Sequence, residues 1–210
     1  MGQINTFSTP IHYHKNVFEK IQNQADQLFN QLTQDIKQSS THSAPVGDYE
    51  ALPVPIKEVL RPYIMKYYNQ WMDGDRDNPL SSEVLNNTLH DVYCPHAEIK
   101  FDLKYWFTVL HKDQFINPHT HHVFKSLFTC VLYLTPVRKE LGGELIVTNP
   151  NLAMASFPYG RCDYLVFRPQ VYDFILLPSF VQHQVMSYKG EEPRISMVVE
   201  FIYSREVKSD

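Results

Sequence analysis

A change of sequence pattern near residue 95 limits what this 210-residue chain can fold into more than any other feature. After that point, short β-branched or aromatic runs are separated by Pro, Gly and Asn. They are AEIKFDLKYWFTVLH, VFKSLFTCVLYLTP, GELIVTNP, VYDFILLP, QHQVMSY and RISMVVEFIY. Runs of this kind are typical of short antiparallel strands. The pattern predicts six to eight strands in a sandwich or barrel.

The sequence before this point has helical periodicity. Apolar residues recur at helical spacing across 16–38, which predicts an amphipathic helix. The segment 39–55, which contains three Ser, three Pro and Gly47, predicts a loop. A second helix is expected over 56–72, with Pro62 in its first turn or at a kink. SSEVLNNTL, residues 81–89, indicates a short third helix.

Helices followed by strands are typical of the α+β class. We therefore expect a helical N-terminal region, residues 1–95, that packs on a β core formed by residues 96–210. Long helices beside the core could support a homodimer. Neither region contains an internal repeat.

Composition excludes several function classes. The net charge is −4 and no basic stripe is present, which argues against a nucleic-acid partner. No run approaches 18 apolar residues, so no membrane span is expected. The N-terminal residues lack the apolar core of a signal peptide, and we expect a cytoplasmic protein. The cysteines are widely spaced and odd in number, so free thiols are expected: Cys94, Cys130 and Cys162.

A cluster of histidines is the strongest indication of chemistry. In FINPHTHHVF, His119 and His121 are two residues apart, so on a strand both would point to one face, with His122 on the other. His183 follows in a later run. An antiparallel barrel would bring these strands around one ion, and imidazole suits iron, copper, zinc and nickel. Surface histidines and a hydrogen-bonded core histidine are the structural alternatives.

The last strand adds an anion-binding pair. Its alternation places Arg194, Ser196, Val198 and Glu200 on one face, and Ile195, Met197, Val199 and Phe201 on the apolar opposite face. If Arg194 points inward, its guanidinium fork and the Ser196 hydroxyl can hold a carboxylate. The alternative is that Arg194 reaches solvent from the strand end, since Pro193 precedes it.

These motifs together resemble a known family. The order HxH, then His, then Arg-x-Ser eleven residues later is similar to the H-x-D…H…R-x-S pattern of the 2-oxoglutarate-dependent Fe(II) oxygenase superfamily. GGEL (142–145) and LLPSFVQHQV followed by RISM add to the resemblance, which covers residues 104–203. The resemblance implies a double-stranded β-helix, or jelly-roll, core. It also implies Fe(II), the co-substrate 2-oxoglutarate, and O2.

The resemblance assigns roles residue by residue. His119 and His183 take the two histidine ligand positions, Arg194 binds the distal carboxylate of 2-oxoglutarate with Ser196, and Tyr133 contacts the co-substrate. No catalytic residue beyond the metal site is indicated. His121 stands where most of the superfamily has Asp or Glu. It is either a third neutral ligand or no ligand at all, in which case water or a carboxylate such as Glu144 would complete the site.

The implied activity is hydroxylation of an unactivated C–H bond of a small molecule or an amino-acid side chain, with formation of succinate and CO2. Two alternatives remain open. One is a cupin-type three-histidine metal dioxygenase that does not use 2-oxoglutarate; it lacks the usual Glu after HxH, where Lys125 and Ser126 stand. The other is a non-enzymatic metal- or ligand-binding β-barrel. An entrance to the site could be lined by Tyr93, Trp106, His111, Phe157 and Tyr159.

Overall fold

The structure is a computed structural model in which the described residues are 2–4, 11–38, 46–72, 97–121, 126–150 and 163–207. The helix expected over 81–89 lies outside them. The described fold is mostly β, and its strands form two sheets in which every pair is antiparallel.

The larger sheet has seven strands and contains the last strand of the fold. In chain order its members are β1 (Gly2–Ile4), β2 (Ile11–His14), β3 (Gly47–Asp48), β4 (Ala97–Leu110), β6 (Ser126–Tyr133), β9 (Phe174–Pro178) and β11 (Arg194–Val207). The spatial order is β1-β2-β9-β6-β11-β4-β3. Strand β11 is therefore central, between β6 and β4.

The smaller sheet has four strands in the order β5-β10-β7-β8. They are β5 (Ile116–His119), β7 (Leu145–Thr148), β8 (Tyr164–Phe167) and β10 (His183–Val185). The described residues after residue 95 thus form eight strands, within the six to eight that the sequence pattern predicts. The two that the runs do not show are β5 and β8, each only four residues long.

The N-terminal region is less helical than the periodicity indicates. Helix α1 is Gln22–Thr33, not 16–38, and 3-10 turns precede and follow it at Glu19–Ile21 and Ile36–Gln38. Asn16 has a positive φ of 38°, which breaks the helical path. Upstream of it, β2 pairs with β9 in the large sheet. The N-terminal residues therefore contribute strands as well as helices.

Helix α2 is Val54–Met72, close to the expected 56–72. Pro62 lies in its interior and not in the first turn. Apolar side chains of both helices, such as Phe29, Ile56 and Ile64, share one buried cluster with the large sheet. No helix in the described part of the chain is both long and apolar enough to cross a membrane.

The two faces of β11 serve different purposes. Ile195, Met197 and Val199 belong to the buried cluster that includes the helices. A second buried cluster, which includes Val131, Leu145 and Val185, lies on the other side, where the small sheet faces the large one. The alternate residues of β11 point to that side. The site is built there.

Candidate metal and co-substrate site

The backbone brings the three histidines together from two strands and a bend. His119 ends β5 and His183 begins β10, and the two are direct register partners. His121 lies just beyond β5, where its backbone N–H donates to the carbonyl of Ser179 at 2.8 Å. The expected strand therefore stops short of His121, but its ring still faces the same site.

One ligand nitrogen from each histidine lies within 4.8 Å of the other two. The ring centroids of His119 and His183 are 4.4 Å apart, and those of His121 and His183 are 5.1 Å apart with nearly parallel planes. Such a cluster could hold one metal ion, and metal–imidazole bonds of about 2.0–2.1 Å would draw the three nitrogens closer together. A set of imidazoles fits a divalent transition metal.

The other ring nitrogen of each histidine already has a neighbour. Nδ1 of His119 lies 2.8 Å from the carbonyl oxygen of Asn117, and Nδ1 of His183 lies 3.0 Å from that of Val181. Nδ1 of His121 lies 2.6 Å from a carboxylate oxygen of Glu200. A proton held on Nδ1 leaves the Nε2 lone pair for a metal. The backbone carbonyls beside Nδ1 of His119 and His183 thus favour Nε2 as the free nitrogen, and the Glu200 carboxylate beside Nδ1 of His121 favours the same arrangement.

Burial keeps two of these rings in the neutral form that binds metal. It lowers the pKa of His183 to about 3, and the neighbouring His119 adds to that effect. Burial also lowers the pKa of His119 below its ordinary value. Both imidazoles are therefore available as ligands at neutral pH.

Arg194 lies deep in the same interior. It is 1% exposed, donates from Nε to the carbonyl of Gly143 at 3.0 Å, and stands 5.2 Å from the ring centroid of Tyr133. Its Nη1 has no hydrogen-bond partner among the described residues. Burial lowers the pKa of the guanidinium below its usual value. A buried cation with an open donor indicates an anionic ligand, because an uncompensated buried charge is costly.

Two hydroxyls accompany this guanidinium. Ser196, 3% exposed, follows on the same face of β11, and Tyr133 is its register partner on β6. The Tyr133 hydroxyl is buried and has no partner of normal hydrogen-bond geometry in the described residues. Burial raises its pKa to about 12, against the opposing charge of Arg194, so it stays a neutral donor.

A cavity of about 230 Å³ connects the histidines with Arg194, Ser196 and Tyr133. Its remaining walls are mostly apolar and include Trp106, Ile116, Val131, Leu145, Val185 and Val198. All six site residues expected from the sequence therefore line one cavity. Of the residues named for an entrance, Trp106 lines it and His111 does not; Tyr93, Phe157 and Tyr159 lie outside the described residues.

Among the described residues, the carboxylate that contacts a histidine of the site is Glu200 and not Glu144. Glu144 instead accepts a hydrogen bond from the surface residue Arg168 at 3.2 Å. The strand alternation already placed Glu200 on the inner face, but no signal in the sequence connected it with His121. That contact depends on the bend after β5.

Comparisons with known proteins agree with this site. A family model described as "Putative 2OG-Fe(II) oxygenase" matches residues 104–200. No curated protein matches the chain.

Solved structures share the fold at low identity, which by itself shows similarity of fold alone. A Pseudomonas putida prolyl-4-hydroxylase is 12% identical, with 94% of this chain and 95% of that one covered and a TM-score of 0.55. HygX of Streptomyces hygroscopicus, with nickel and 2-oxoglutarate bound, is 12% identical over 96% and 85%, TM-score 0.55. A Trichoplax adhaerens prolyl hydroxylase with a peptide fragment of hypoxia inducible factor is 13% identical over 91% and 83%, TM-score 0.57.

The two facing antiparallel sheets and these structural similarities define a jelly-roll fold. Residues 104–200, a little under half of the chain, match the model of the 2-oxoglutarate/iron(II) oxygenase family. The name of that family gives iron(II) as the metal and 2-oxoglutarate as the co-substrate. The donor set fits both groups: three clustered imidazoles for the metal, and a buried guanidinium with an open donor for the dicarboxylate.

Proposed function

We propose that this protein is a dioxygenase that hydroxylates an unactivated C–H bond of a small molecule or amino-acid side chain and forms succinate and CO2. The observation that supports this most is Arg194, which is 1% exposed and lines the same cavity as the three histidines. A buried arginine beside the histidines is costly without an anionic partner, and the distal carboxylate of 2-oxoglutarate would be that partner. We also propose a double-stranded β-helix core with the N-terminal helices packed on it, in a cytoplasmic protein.

In this proposal His119, His121 and His183 hold iron(II). When bound, the metal supplies the O2 activation that couples decarboxylation of 2-oxoglutarate to oxidation of the substrate. The protein fixes the ligand geometry through β5, β10 and the bend that follows β5. These three histidines would hold the metal from one side of the cavity that Arg194 also lines.

Arg194 anchors the distal carboxylate of 2-oxoglutarate. Its Nε donates to the Gly143 carbonyl, and the buried Nη1, which has no partner among the described residues, is a donor available to the ligand. The hydroxyls of Ser196 and Tyr133 donate to the same carboxylate. Binding replaces a costly uncompensated charge by a charge-assisted pair, which is the physical reason for selectivity toward a dicarboxylate.

The apolar walls have two roles. Side chains such as Val131, Val185 and Val198 exclude water around the metal and the carboxylate pair, which strengthens their electrostatic interactions. Together with a cavity of about 230 Å³, which the co-substrate shares, they favour a small substrate or a single inserted side chain.

The cupin-type reaction without 2-oxoglutarate is the second candidate, because a set of three histidines suits it equally. Arg194 separates the two, since that reaction gives a buried guanidinium no partner. Consumption of 2-oxoglutarate by the purified iron-loaded protein is therefore the deciding measurement. Oxygen chemistry with no consumption of 2-oxoglutarate would favour the cupin-type reaction.

The matching variant experiment uses two arginines. We expect Arg194→Ala to reduce kcat/KM for 2-oxoglutarate roughly 30-fold to several thousand-fold, because the co-substrate carboxylate loses a buried partner. This factor corresponds to a free-energy loss of about 2–5 kcal/mol. Arg168→Ala removes the same side chain from an exposed position outside the cavity, and we expect it to behave as wild type. Succinate formation at wild-type rates in Arg194→Ala would refute the assigned role.

A further inference from the structure

Glu200 is a buried carboxylate that the proposed roles leave unused. It is 2% exposed and lies on the inner face of β11, three alternate positions beyond Arg194. Its Oε1 is 2.6 Å from Nδ1 of His121 and accepts a hydrogen bond from the Thr129 hydroxyl at 2.8 Å. The hydroxyl fixes the carboxylate oxygen where the imidazole meets it.

This arrangement sets His121 apart from the other two histidines. Nδ1 of His119 and of His183 meets a neutral backbone carbonyl, whereas Nδ1 of His121 meets a carboxylate. A carboxylate behind a ligating histidine fixes the ring and makes its other nitrogen a stronger donor. The histidine that replaces the usual acidic ligand is therefore the one with an acidic neighbour.

The charge balance of the site leads to the same conclusion. In the part of the chain that the structure describes, no lysine or arginine forms a salt bridge with Glu200, and its other oxygen, Oε2, has no hydrogen-bond partner. A buried carboxylate is costly without a compensating cation. A divalent metal on the far side of the His121 ring supplies one at short range.

The rings of Trp106 and His183 lie nearly parallel to the His121 ring and fix its orientation. The Trp106 ring stacks on it at 6.0 Å with an interplanar angle of 17°, and the His183 ring lies parallel to it within 7°. Rotation of the imidazole is therefore restricted, and Nε2 stays on the side of the other ligands.

We propose that Glu200 is a positioning residue whose carboxylate accepts a hydrogen bond from Nδ1–H of His121, directs Nε2 to the metal, and supplies the negative charge that a ligating carboxylate gives in the usual facial triad. A three-histidine site with this carboxylate has the same net charge as a site of two histidines and one carboxylate. The inference rests on the proposed function, in which His121 is a metal ligand.

The test is a Co(II) titration of the metal-free protein, with affinity and ligand-field absorption as readouts. Glu200→Gln keeps the shape of the side chain and removes its charge. We expect its Co(II) affinity to fall about 10- to 100-fold and its absorption bands to shift. Glu144→Gln removes a carboxylate that contacts Arg168 and not the histidines, and we expect wild-type affinity and wild-type bands.

A His121→Asp variant tests whether the effect of Glu200 on metal binding depends on His121. His121→Asp places the carboxylate directly at the ligand position, where Glu200 is no longer required. We expect Glu200→Gln to leave Co(II) affinity unchanged or higher in that background, because two adjacent carboxylates repel. An equal loss in both backgrounds would overturn the proposal, since it would show a general structural effect. Should Glu200→Gln not fold, Thr129→Val removes the hydroxyl that holds Glu200, and a smaller loss in the same direction is expected.

The outcomes separate this inference from the proposed function. If wild type bound no Co(II) and consumed no 2-oxoglutarate, the proposed function would fail. If wild type bound Co(II) and Glu200→Gln bound it equally with unchanged bands, the positioning role alone would fail. If His121→Ala kept wild-type affinity while Glu200→Gln abolished binding, Glu200 would be a ligand and the proposal would be overturned.

Discussion

His119 and His183 stand directly opposite each other on two antiparallel strands, with ring centroids 4.4 Å apart. Residues opposite each other in a ladder are placed by backbone hydrogen bonds. The ladder between β5 and β10 therefore preorganises two of the three proposed ligands before any metal binds. His121, which follows a bend, depends on side-chain contacts instead.

This difference predicts how the metal site responds to loss of a ligand. We expect His119→Ala and His183→Ala each to lower Fe(II) affinity by more than about 100-fold, beyond the range of outer-shell substitutions, because a direct bond is removed. His111→Ala, at a half-buried position outside the cavity, is the control and should bind as wild type. Metal binding by His183→Ala with unchanged affinity would contradict the proposed ligand set.

The turn before β7 predicts a second effect, on co-substrate binding. Gly143 has a φ of 77°, and a Cβ there would stand 2.9 Å from Cδ of Arg194. We expect Gly143→Ala to raise the KM for 2-oxoglutarate about 10-fold or more, because the guanidinium is displaced. The measurement is steady-state succinate formation at varied 2-oxoglutarate.

Gly142→Ala is the matched control for that variant. Its φ is 69°, so it carries a similar backbone strain of about 1–3 kcal/mol. Its Cβ would also overlap the backbone carbonyl oxygen of Ser187 at 2.2 Å, so its loss of stability should be the larger, but it would not meet Arg194. Both variants should lose stability, and only Gly143→Ala should lose co-substrate affinity. Equal increases in KM would attribute the effect to the turn and not to Arg194.

The strand pattern predicted much of the fold and the location of the candidate site. Period-two alternation on β11 placed Arg194 and Ser196 on one face and apolar residues on the other, and the structure has these faces. A strand has only two faces, so one strongly apolar face determines both. The roles of these residues as co-substrate ligands remain predictions.

Other features could not be read from periodicity. Val17 and Ile21 are spaced as in a helix, but they pack from a turn and a 3-10 segment that follow the positive φ of Asn16. The pairing of Glu200 with His121 joins a central strand to a bend in the other sheet. Such a contact depends on tertiary structure, which local patterns do not specify.

Two histidines outside the candidate site predict how stability depends on pH. His12 and His14 on β2 pack against rings of α2, Tyr67 at 4.8 Å and Tyr63 at 4.6 Å. Burial lowers the pKa of both, that of His14 to about 4, and the positive charge of Lys66 adds to this. These contacts between β2 and α2 are therefore made by neutral imidazoles.

The sign of the pH effect follows from these shifts. In the unfolded chain a histidine binds a proton near pH 6.5, whereas folded His14 does so only near pH 4. Below pH 6.5 the unfolded state binds more protons, so stability is complete above that pH and falls as the pH drops toward 4. The slope is at most about 1.4 kcal/mol per pH unit for each histidine, and less for the half-buried His14.

Urea unfolding of the metal-free protein at pH 7 and pH 5 tests this. Wild type should lose stability at pH 5, and His14→Gln should lose less, because one proton-binding group is gone. His119 and His183 also have lowered pKa values and act in the same direction, so the difference between the two proteins is the informative quantity. An identical pH dependence in His14→Gln would contradict the expected linkage.

The two faces of β11 lead to the last prediction, for which neighbouring residues provide a matched pair. Met197 is fully buried in the cluster beneath the helices, and Val198 lines the cavity on the opposite face. Met197→Ala should lower the free energy of unfolding by about 2–5 kcal/mol, because it leaves a hole in a packed core. Val198→Ala only enlarges an existing cavity, so its cost should be smaller.

The effects on co-substrate and substrate binding should be in the opposite order, larger for Val198→Ala than for Met197→Ala. Val198→Ala should change the KM for 2-oxoglutarate or the selectivity among substrates, whereas Met197→Ala should leave both near wild type wherever the protein remains folded. Urea unfolding and steady-state kinetics on the same preparations measure the two effects. A larger stability loss in Val198→Ala, with an altered KM only in Met197→Ala, would mean that the two faces of β11 are reversed, and Arg194 would then lie outside the cavity.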